Sequence, residues 1–348
     1  MILENKAQEF YYRRIKNKFR QAEKEKFHLD PPSENDLIEP KYPDCKLVLA
    51  AVADPQIATL IPVRYSVLKT GIKDFKNAKC KLDAVIMLGD LAENGLSVEY
   101  QTVKDLIGSL DTRFISTPGN HDIRLRRIKH STKRFANFIN DLNGDSAHPL
   151  NKLCYSEEIN GYKIIVLGSD KTSFEKSVLS PQQLSWLDSE LESVKGKPAF
   201  VLCHQPFKFS HGLPLVWKMF YHTDDMGSVG KQNEQLQEIL KKYNNVFYIN
   251  GHLHSPFNHL TYQKFNGIHS ITVPSFTDNK GQTFIIEAYQ DKVLFRARDC
   301  LRGEFLDDYE IQFLNEKLKM KNEKLAGSTV ASRHHKSSRA ENNFTFSK

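Results

Sequence analysis
Five short apolar runs in this chain each stop on a group able to bind a cation or a proton. Leu47 to Ala53 leads into Asp54-Pro55-Gln56, and Ala84 to Leu88 leads into Gly89-Asp90. Phe114 to Thr117 leads through Pro118 into Gly119-Asn120-His121-Asp122. Ala199 to Cys203 stops at His204, and Val246 to Asn250 stops at Gly251-His252-Leu253-His254. Short apolar runs bounded by turn-forming residues read as buried strands. In an α/β sheet, ligands bind beyond the carboxyl ends of such strands. The pattern therefore predicts one polar site at a shared strand edge, and it limits the fold to one that brings five strand ends together.

The rhythm between these runs narrows the fold further. From Lys46 the order is strand, helix, strand, helix, with Ser97 to Leu110 read as a helix and Arg113 to Thr117 as the next strand. That alternation predicts an α/β domain with parallel pairing. Later the rhythm changes. Cys154 to Glu158 and Tyr162 to Leu167 flank Ile159-Asn160-Gly161, a hairpin signal. Gln282 to Tyr289 and Lys292 to Arg298 flank Gln290-Asp291, a second hairpin. A pair of mixed sheets accommodates this better than one doubly wound sheet. Phe313 to Lys324 is expected to form a last helix.

The ends differ from the middle. Glu9 to Phe27 is rich in charge and helix formers, and Phe10, Tyr11, Ile15 and Phe19 share one helical face. Such a helix packs on a domain surface, or else on a membrane surface or partner. Pro31, Pro32, Pro40 and Pro43 mark a loop-rich connection, and the Ser, Arg, Lys and Asn content beyond Ala326 predicts disorder. The expected organisation is a basic helix and connection over 1–45, a main α/β domain over 46–325 and a tail over 326–348.

Net charge is +7, but the excess is concentrated in Tyr11 to Lys26 and Arg333 to Lys348. Nothing there interleaves basic residues with a nucleic-acid motif, so solvated surface is favoured over nucleic-acid binding. Five scattered cysteines without a C-x-x-C pair argue against a disulfide framework and against a cysteine zinc site. No apolar run approaches transmembrane length and no signal-peptide pattern opens the chain, so a reducing, cytoplasmic setting is expected.

The donor types suit two metal ions. Asp54 and Asp90 offer carboxylate oxygens, Asn120 a carboxamide oxygen, and His204, His252 and His254 imidazole nitrogens. Asp90 is short and follows a glycine, which suits a bridging carboxylate. His252 and His254 are two apart, so an extended segment projects both to one side. Each motif alone is weak, since Gly-Asp and Gly-Asn-His are common turns. The ordered set, one motif at each strand end, is specific.

That ordered set resembles the calcineurin-like metallophosphoesterase superfamily, whose blocks run D-x-H, GD, GNH(D/E), an isolated His and GHxH. The resemblance covers about Lys46 to Asp299. It implies a sandwich of two mixed β-sheets flanked by helices, an αββα four-layer α/β fold. It implies that Asp54, Asp90 and His254 hold a first metal, and Asp90, Asn120, His204 and His252 a second. His121 would serve the leaving oxygen, with Asp122 orienting its imidazole. Gln56 stands where the family has His, and it is read as an oxygen ligand of the first metal, with an outer supporting position as the alternative. Two divalent or mixed-valence transition-metal ions are expected, with the oxygen-rich set favouring manganese or iron over zinc.

The implied activity is hydrolysis of a phosphate ester by a metal-bridging hydroxide, on a small phosphorylated substrate or nucleotide. Alternatives are a nuclease or nucleotide pyrophosphatase using the same centre, or a non-catalytic scaffold of the same fold. Asn94 is read either as a contact to phosphate or metal-bound water or as a turn residue. Arg124, Arg126 and Arg127 are read as anion-steering or as solvated surface. His211, Trp217, Phe220, Tyr221 and His222 are read as a pocket wall or as core.

Overall fold
The computed structural model of the chain describes residues 36–58, 61–125, 127–145, 149–194, 196–213, 226–278, 281–314 and 319–320. The expected helix over Glu9 to Phe27 and the tail beyond Ala326 lie outside the described residues, as do Arg126, the aromatic residues Trp217, Phe220 and Tyr221, and His222.

Strand β1 (Leu47–Val52) is followed by α1 (Pro62–Lys76), β2 (Ala84–Met87), α2 (Ser97–Ile107), β3 (Arg113–Ser116), the short α3 (Asn120–Ile123) and α4 (Ile128–Asn143). The second half runs β4 (Tyr155–Ile159), β5 (Tyr162–Val166), α5 (Pro181–Glu192), β6 (Ala199–Leu202), α6 (Asn233–Leu240), β7 (Val246–Asn250), β8 (Tyr262–Phe265) and β9 (Ile268–Thr272). It closes with β10 (Gln282–Ala288), β11 (Lys292–Asp299), β12 (Glu304–Phe305), β13 (Ile311–Leu314) and β14 (Lys319–Met320).

These strands form an eight-stranded sheet in the order β14-β13-β11-β10-β1-β2-β3, with β12 on β11, and a six-stranded sheet in the order β4-β5-β6-β7-β9-β8. Both are mixed. β1, β2 and β3 pair in parallel while β10 joins β1 antiparallel. β5, β6, β7 and β9 pair in parallel between antiparallel β4 and β8.

The period of two along β1 explains the layering. Leu47, Leu49 and Ala51 point into a core shared with Phe200, Leu202, Phe247 and Ile249 of the other sheet. Val48, Ala50 and Val52 point the opposite way, against Leu68 and Ile72 of α1. On the far side, Val201 and Tyr248 meet Leu184 and Leu187 of α5 and Leu236 of α6. The result is the helix–sheet–sheet–helix order expected from the sequence. Strands covered on both faces read as continuous apolar runs, which is why they were visible.

Both hairpins form. Asn160 and Gly161 join β4 to β5 with φ of 52° and 82°, a two-residue turn whose positive angles match the twist of the strands. The last expectation fails: residues 311–314 form strand β13, paired antiparallel to β11, rather than the start of a helix. Ile311 and Phe313 are fully buried while Gln312 and Leu314 between them are only partly so, a period of two. Phe313 packs edge-on against Phe247 and Phe295. That packing outweighs the helical propensity of the Leu, Glu and Lys residues that follow. Residues 36–45 also join the domain: Ile38 is fully buried, and Arg298 donates to the Asp36 carbonyl at 3.0 Å.

Candidate metal centre
The ends of β1, β2 and β3 in one sheet and of β6 and β7 in the other meet at one edge of the sandwich. Backbone bonds tie the loops that follow. Asp54 N–H donates to Gly89 O at 3.2 Å, Gln56 N–H to Asp90 O at 2.8 Å, and Gly251 N–H to His204 O at 3.0 Å. Close approach requires glycine at 119, where an added Cβ would overlap Asp90 Oδ1. Asp54, Gln56, Asp90, His252 and His254 all adopt left-handed φ, between 40° and 72°. Residues other than glycine adopt that region rarely, and when they do they cluster at functional sites.

Asp90 is the hub. Its Oδ1 accepts the His121 backbone N–H at 2.8 Å. Its Oδ2 lies 3.2 Å from His204 Nε2, 3.3 Å from Gln56 Nε2 and 3.8 Å from His121 Nε2. His204 Nδ1 lies 2.6 Å from Leu88 O. A carbonyl only accepts, so Nδ1 carries hydrogen and Nε2 is the nitrogen turned inward. Around that Nε2 stand Asn120 Oδ1 at 3.1 Å and His252 Nδ1 at 3.2 Å. Asn120 is held in this pose by its Nδ2 donating to Glu175 at 3.1 Å.

On the other side, His254 Nδ1 lies 2.6 Å from Asp278 Oδ2 and its Nε2 lies 3.4 Å from Asp54 Oδ1. Asp54 Oδ1 is buried with no hydrogen bond among the described residues, although Oδ2 accepts the His252 N–H at 2.9 Å. Two donor groups result, Asp90 with His204 and His252, and Asp54 with Asp90 and His254, each with its ligand atoms within 4.8 Å of one another. Asp90 belongs to both. Several lone pairs converging on the same points repel one another unless a cation sits among them, and the orphaned Asp54 oxygen fits the same need. The residues present therefore fit a pair of metal ions.

Electrostatics agree. Burial opposes charge on Asp90, yet His204, His121 and His252 hold its carboxyl well below the usual range. Burial likewise opposes charge on His204 and His254. Asp90 and Asp54 nevertheless raise the former to about 9, and Asp278 and Asp54 raise the latter to about 10. His252 is held well below the ordinary value by burial and by the neighbouring His204.

The geometry separates His121 from Asp122. The His121 ring lies at the rim, with Nδ1 2.8 Å from the Glu93 carbonyl and 3.2 Å from the Glu93 carboxylate. Asp122 does not orient that ring, contrary to the sequence expectation. Its carboxylate accepts from Leu91 N at 3.3 Å, Ala92 N at 3.2 Å, Gly119 N at 2.8 Å and Tyr100 OH at 2.8 Å. Four donors fill the acceptor capacity of a carboxylate, so it braces the loops after β2 and β3 instead. Asn94 binds Glu99 through both its backbone and side-chain nitrogens, at the start of α2, as a turn residue does. Arg124 lies between Glu93 and Glu175. His211 is buried against Leu260 O and Ser270 Oγ.

Sequence reasoning missed Glu93, Glu175, Asp278 and Arg64. Glu93 carried a signal, an acidic residue in the loop after Asp90. Asp278 carried none, because it reaches His254 only through folding.

A buried carboxylate shared between two oxygen and nitrogen donor groups fits a metal-dependent enzyme. Comparison with known families makes that class specific: a family model described as calcineurin-like phosphoesterase matches residues 47–256, more than half of the chain. The chain belongs to that family of metal-dependent phosphoester hydrolases. A probable glycerophosphodiester phosphodiesterase of Arcobacter nitrofigilis is 27% identical over 217 residues, covering 60% of this chain and 72% of that protein. A 3',5'-cyclic-nucleotide phosphodiesterase of Nostoc is 25% identical, covering 59% of this chain and 66% of its own length. The 3',5'-cyclic adenosine monophosphate phosphodiesterase of Escherichia coli K12 is 24% identical, covering 56% and 61%. The match spans less than two thirds of the latter two proteins. Among the described residues, no helix is long and apolar enough to cross a membrane.

Proposed function
We propose that this chain hydrolyses a small phosphodiester at a dinuclear centre, with Asp54, Gln56, Asp90 and His254 around one metal and Asp90, Asn120, His204 and His252 around the other. The observation that carries this reading is the pair of donor groups joined by Asp90. When bound, two cations supply positive charge to the phosphate oxygens and lower the pKa of a coordinated water. The diester class is supported by the relatives, which are named for glycerophosphodiester and cyclic-nucleotide substrates. Manganese or iron is favoured over zinc because Gln56, whose Nε2 faces Asp90 here, would turn its amide over to offer oxygen where the family has imidazole nitrogen. A cytoplasmic setting is proposed on the five free cysteines, of which Cys203 and Cys300 are buried.

The chain's own residues supply the rest. His121 Nδ1 donates to the Glu93 carbonyl, which leaves Nε2 as the nitrogen turned toward the centre. Burial opposes protonation of His121, but Glu93 and Asp90 raise its pKa above the ordinary value. The ring is thus placed, with Nε2 toward the centre, to give a proton to the departing oxygen. Asp122 and Tyr100 keep the loops of Asp90 and Asn120 in place.

The test is a panel of phosphomonoesters, phosphodiesters and nucleotides assayed with manganese, alongside metal analysis before and after chelation. The expected result is preferential diester turnover, two ions per chain, and loss of activity with the metal. A chain that takes up no metal under manganese refutes the dinuclear reading, and preferential monoester turnover refutes the substrate class.

A further inference from the structure
Outside the donor groups, the rim of the centre carries alternating charges. Asp278 Oδ1 lies 3.6 Å from Arg64 Nε, and Arg64 Nη1 lies 2.6 Å from Glu93 Oε2. Glu93 Oε1 lies 3.6 Å from Arg124 Nη2, and Arg124 Nη1 lies 3.9 Å from Glu175 Oε1. Each carboxylate of this belt also grips one residue of the centre. Asp278 holds His254 at 2.6 Å, Glu93 holds His121 at 3.2 Å, and Glu175 holds Asn120 at 3.1 Å. Arg64 has one further bond, from Nη1 to the Gln56 carbonyl at 3.1 Å, and so steadies a residue in left-handed backbone.

Arg64 sits in the first turn of α1, a helix anchored in the core by Val67, Leu68, Ile72 and Phe75. Its guanidinium is a rigid fork, able to meet Glu93 and Asp278 at once, and its side chain is only 14% exposed. Without it, Glu93 is left to Arg124 and His121 and Asp278 to His254, and Arg64 no longer bridges the two. Both would rotate toward solvent and carry the rings of His121 and His254 with them.

We propose that Arg64 is a positioning residue that ties the two ends of the centre together: by holding Glu93 and Asp278 at once, it fixes the rings of His121 and His254 relative to one another. The inference rests on the reading of His254 as a ligand of the first metal. Groups that orient a metal-binding residue from outside typically matter by roughly 10–100-fold in metal affinity or activity.

The experiment compares the manganese-loaded parent with Arg64→Ala, Arg64→Lys, Arg124→Ala, Asp278→Asn and the double variant Arg64→Ala/Asp278→Asn. It reads the rate of manganese loss to a chelator, together with kcat and KM on a chromogenic phosphodiester. Arg64→Ala is expected to lose one of its two ions roughly 10–100-fold faster and to lose more in kcat than in KM. Arg64→Lys should recover only part of both, because an ammonium cannot span two carboxylates as a fork does. Arg124→Ala should keep the parent's rate of loss for the ion held by Asp54 and His254, since Arg124 touches neither Asp278 nor His254. The double variant should lose metal more slowly than the two single effects multiplied, because both changes break the Asp278 path and only the Arg64 bond to the Gln56 carbonyl is lost in addition.

Metal loss from Arg64→Ala at the parent's rate, or additive losses in the double variant, would overturn the proposal. A parent that binds fewer than two ions overturns the dinuclear reading along with it. A parent with two ions and an indifferent Arg64→Ala overturns this proposal alone. Should Arg64→Ala not fold, Arg64→Gln is measured in its place, with the same outcomes.

Discussion

Replacing Asp122 separates two accounts of the Gly119-Asn120-His121-Asp122 block. If Asp122 braces loops, as its four donors indicate, Asp122→Ala leaves the N–H groups of Leu91, Ala92 and Gly119 buried without an acceptor. Each orphaned donor costs about 1–3 kcal/mol, so the loss sums to about 3–9 kcal/mol. Against this stands a gain. Burial, with the charge of Asp90, raises the Asp122 pKa from 3.8 to about 6, so holding it ionised at neutral pH costs about 3 kcal/mol, which alanine removes. The balance is a net loss of about 0–6 kcal/mol, centred on about 3 kcal/mol, which is on the order of 5 °C in melting temperature. Asp122→Asn sheds the same burden but keeps a carbonyl oxygen toward Leu91 and Gly119. The Tyr100 hydroxyl can turn to accept from the new amide, and only the Ala92 N–H loses its partner, so stability should stay near that of the parent. The assay is a thermal melt at pH 7.5 of chelated and manganese-loaded protein, with kcat measured alongside. If Asp122 instead oriented His121, both variants would lose kcat together while melting like the parent. That pattern would refute the bracing role.

Three further outcomes are expected. His121→Ala should keep both metals but lose about 10²–10⁴-fold in turnover, as removal of a positioned acid does; metal analysis with kcat checks this, and loss of metal from a folded variant would contradict it. Gln56→His should tighten the first metal and shift preference toward zinc, while Gln56→Ala should weaken that metal and spare the second. Chelator titrations with manganese and zinc decide this, and two variants indistinguishable from the parent would remove Gln56 from direct contact with the metal. His211 is held by burial down at about 4, against an ordinary 6.5, despite its bond to the Leu260 carbonyl. The unfolded chain therefore takes up the proton first as pH falls, so the stability His211 contributes is full above 6.5 and is lost toward 4. The loss from pH 7 to pH 5 is about 2 kcal/mol, and urea unfolding at the two pH values should show the slope reduced by that amount in His211→Gln.

Legibility in the sequence followed burial. The strands that end at the centre are covered on both faces, so their apolar runs were unbroken and their boundaries fell within a residue or two of the observed ones. The donors were legible for the same reason: a carboxylate or imidazole directly after such a run is out of place unless it is used. Phe313 was misread because β13 is short and amphipathic, and four residues cannot establish a period of two against a downstream stretch of helix formers. The role of Asp122 was misassigned because it was carried over from the family resemblance, with no signal in the sequence for the donors that surround it. The α3 turn instead sends the two side chains apart, one to the rim and one beneath the loops. Arg64, Asp278 and Glu175 left no trace, because each reaches the centre from a different element.

Backbone strain explains why the polar residues can converge at all. Along a strand, consecutive side chains alternate between faces, so Asp54 and the residues after β1 would diverge if the strand continued. A left-handed residue breaks the alternation and turns the chain across the sheet edge. Asp54, Gln56, Asp90, His252 and His254 make that turn without being glycine. Left-handed backbone costs such residues roughly 1–2 kcal/mol each. Glycine at these positions would relieve the strain and remove the donor. The strain is tolerated because β1, β2 and β7 are buried along their whole length and because the loops are bonded to one another through Gly89, Asp90 and His204. The donor side chains therefore stand where stability alone would choose glycine, and that exchange of stability for convergence is what the proposed pair of cations would demand.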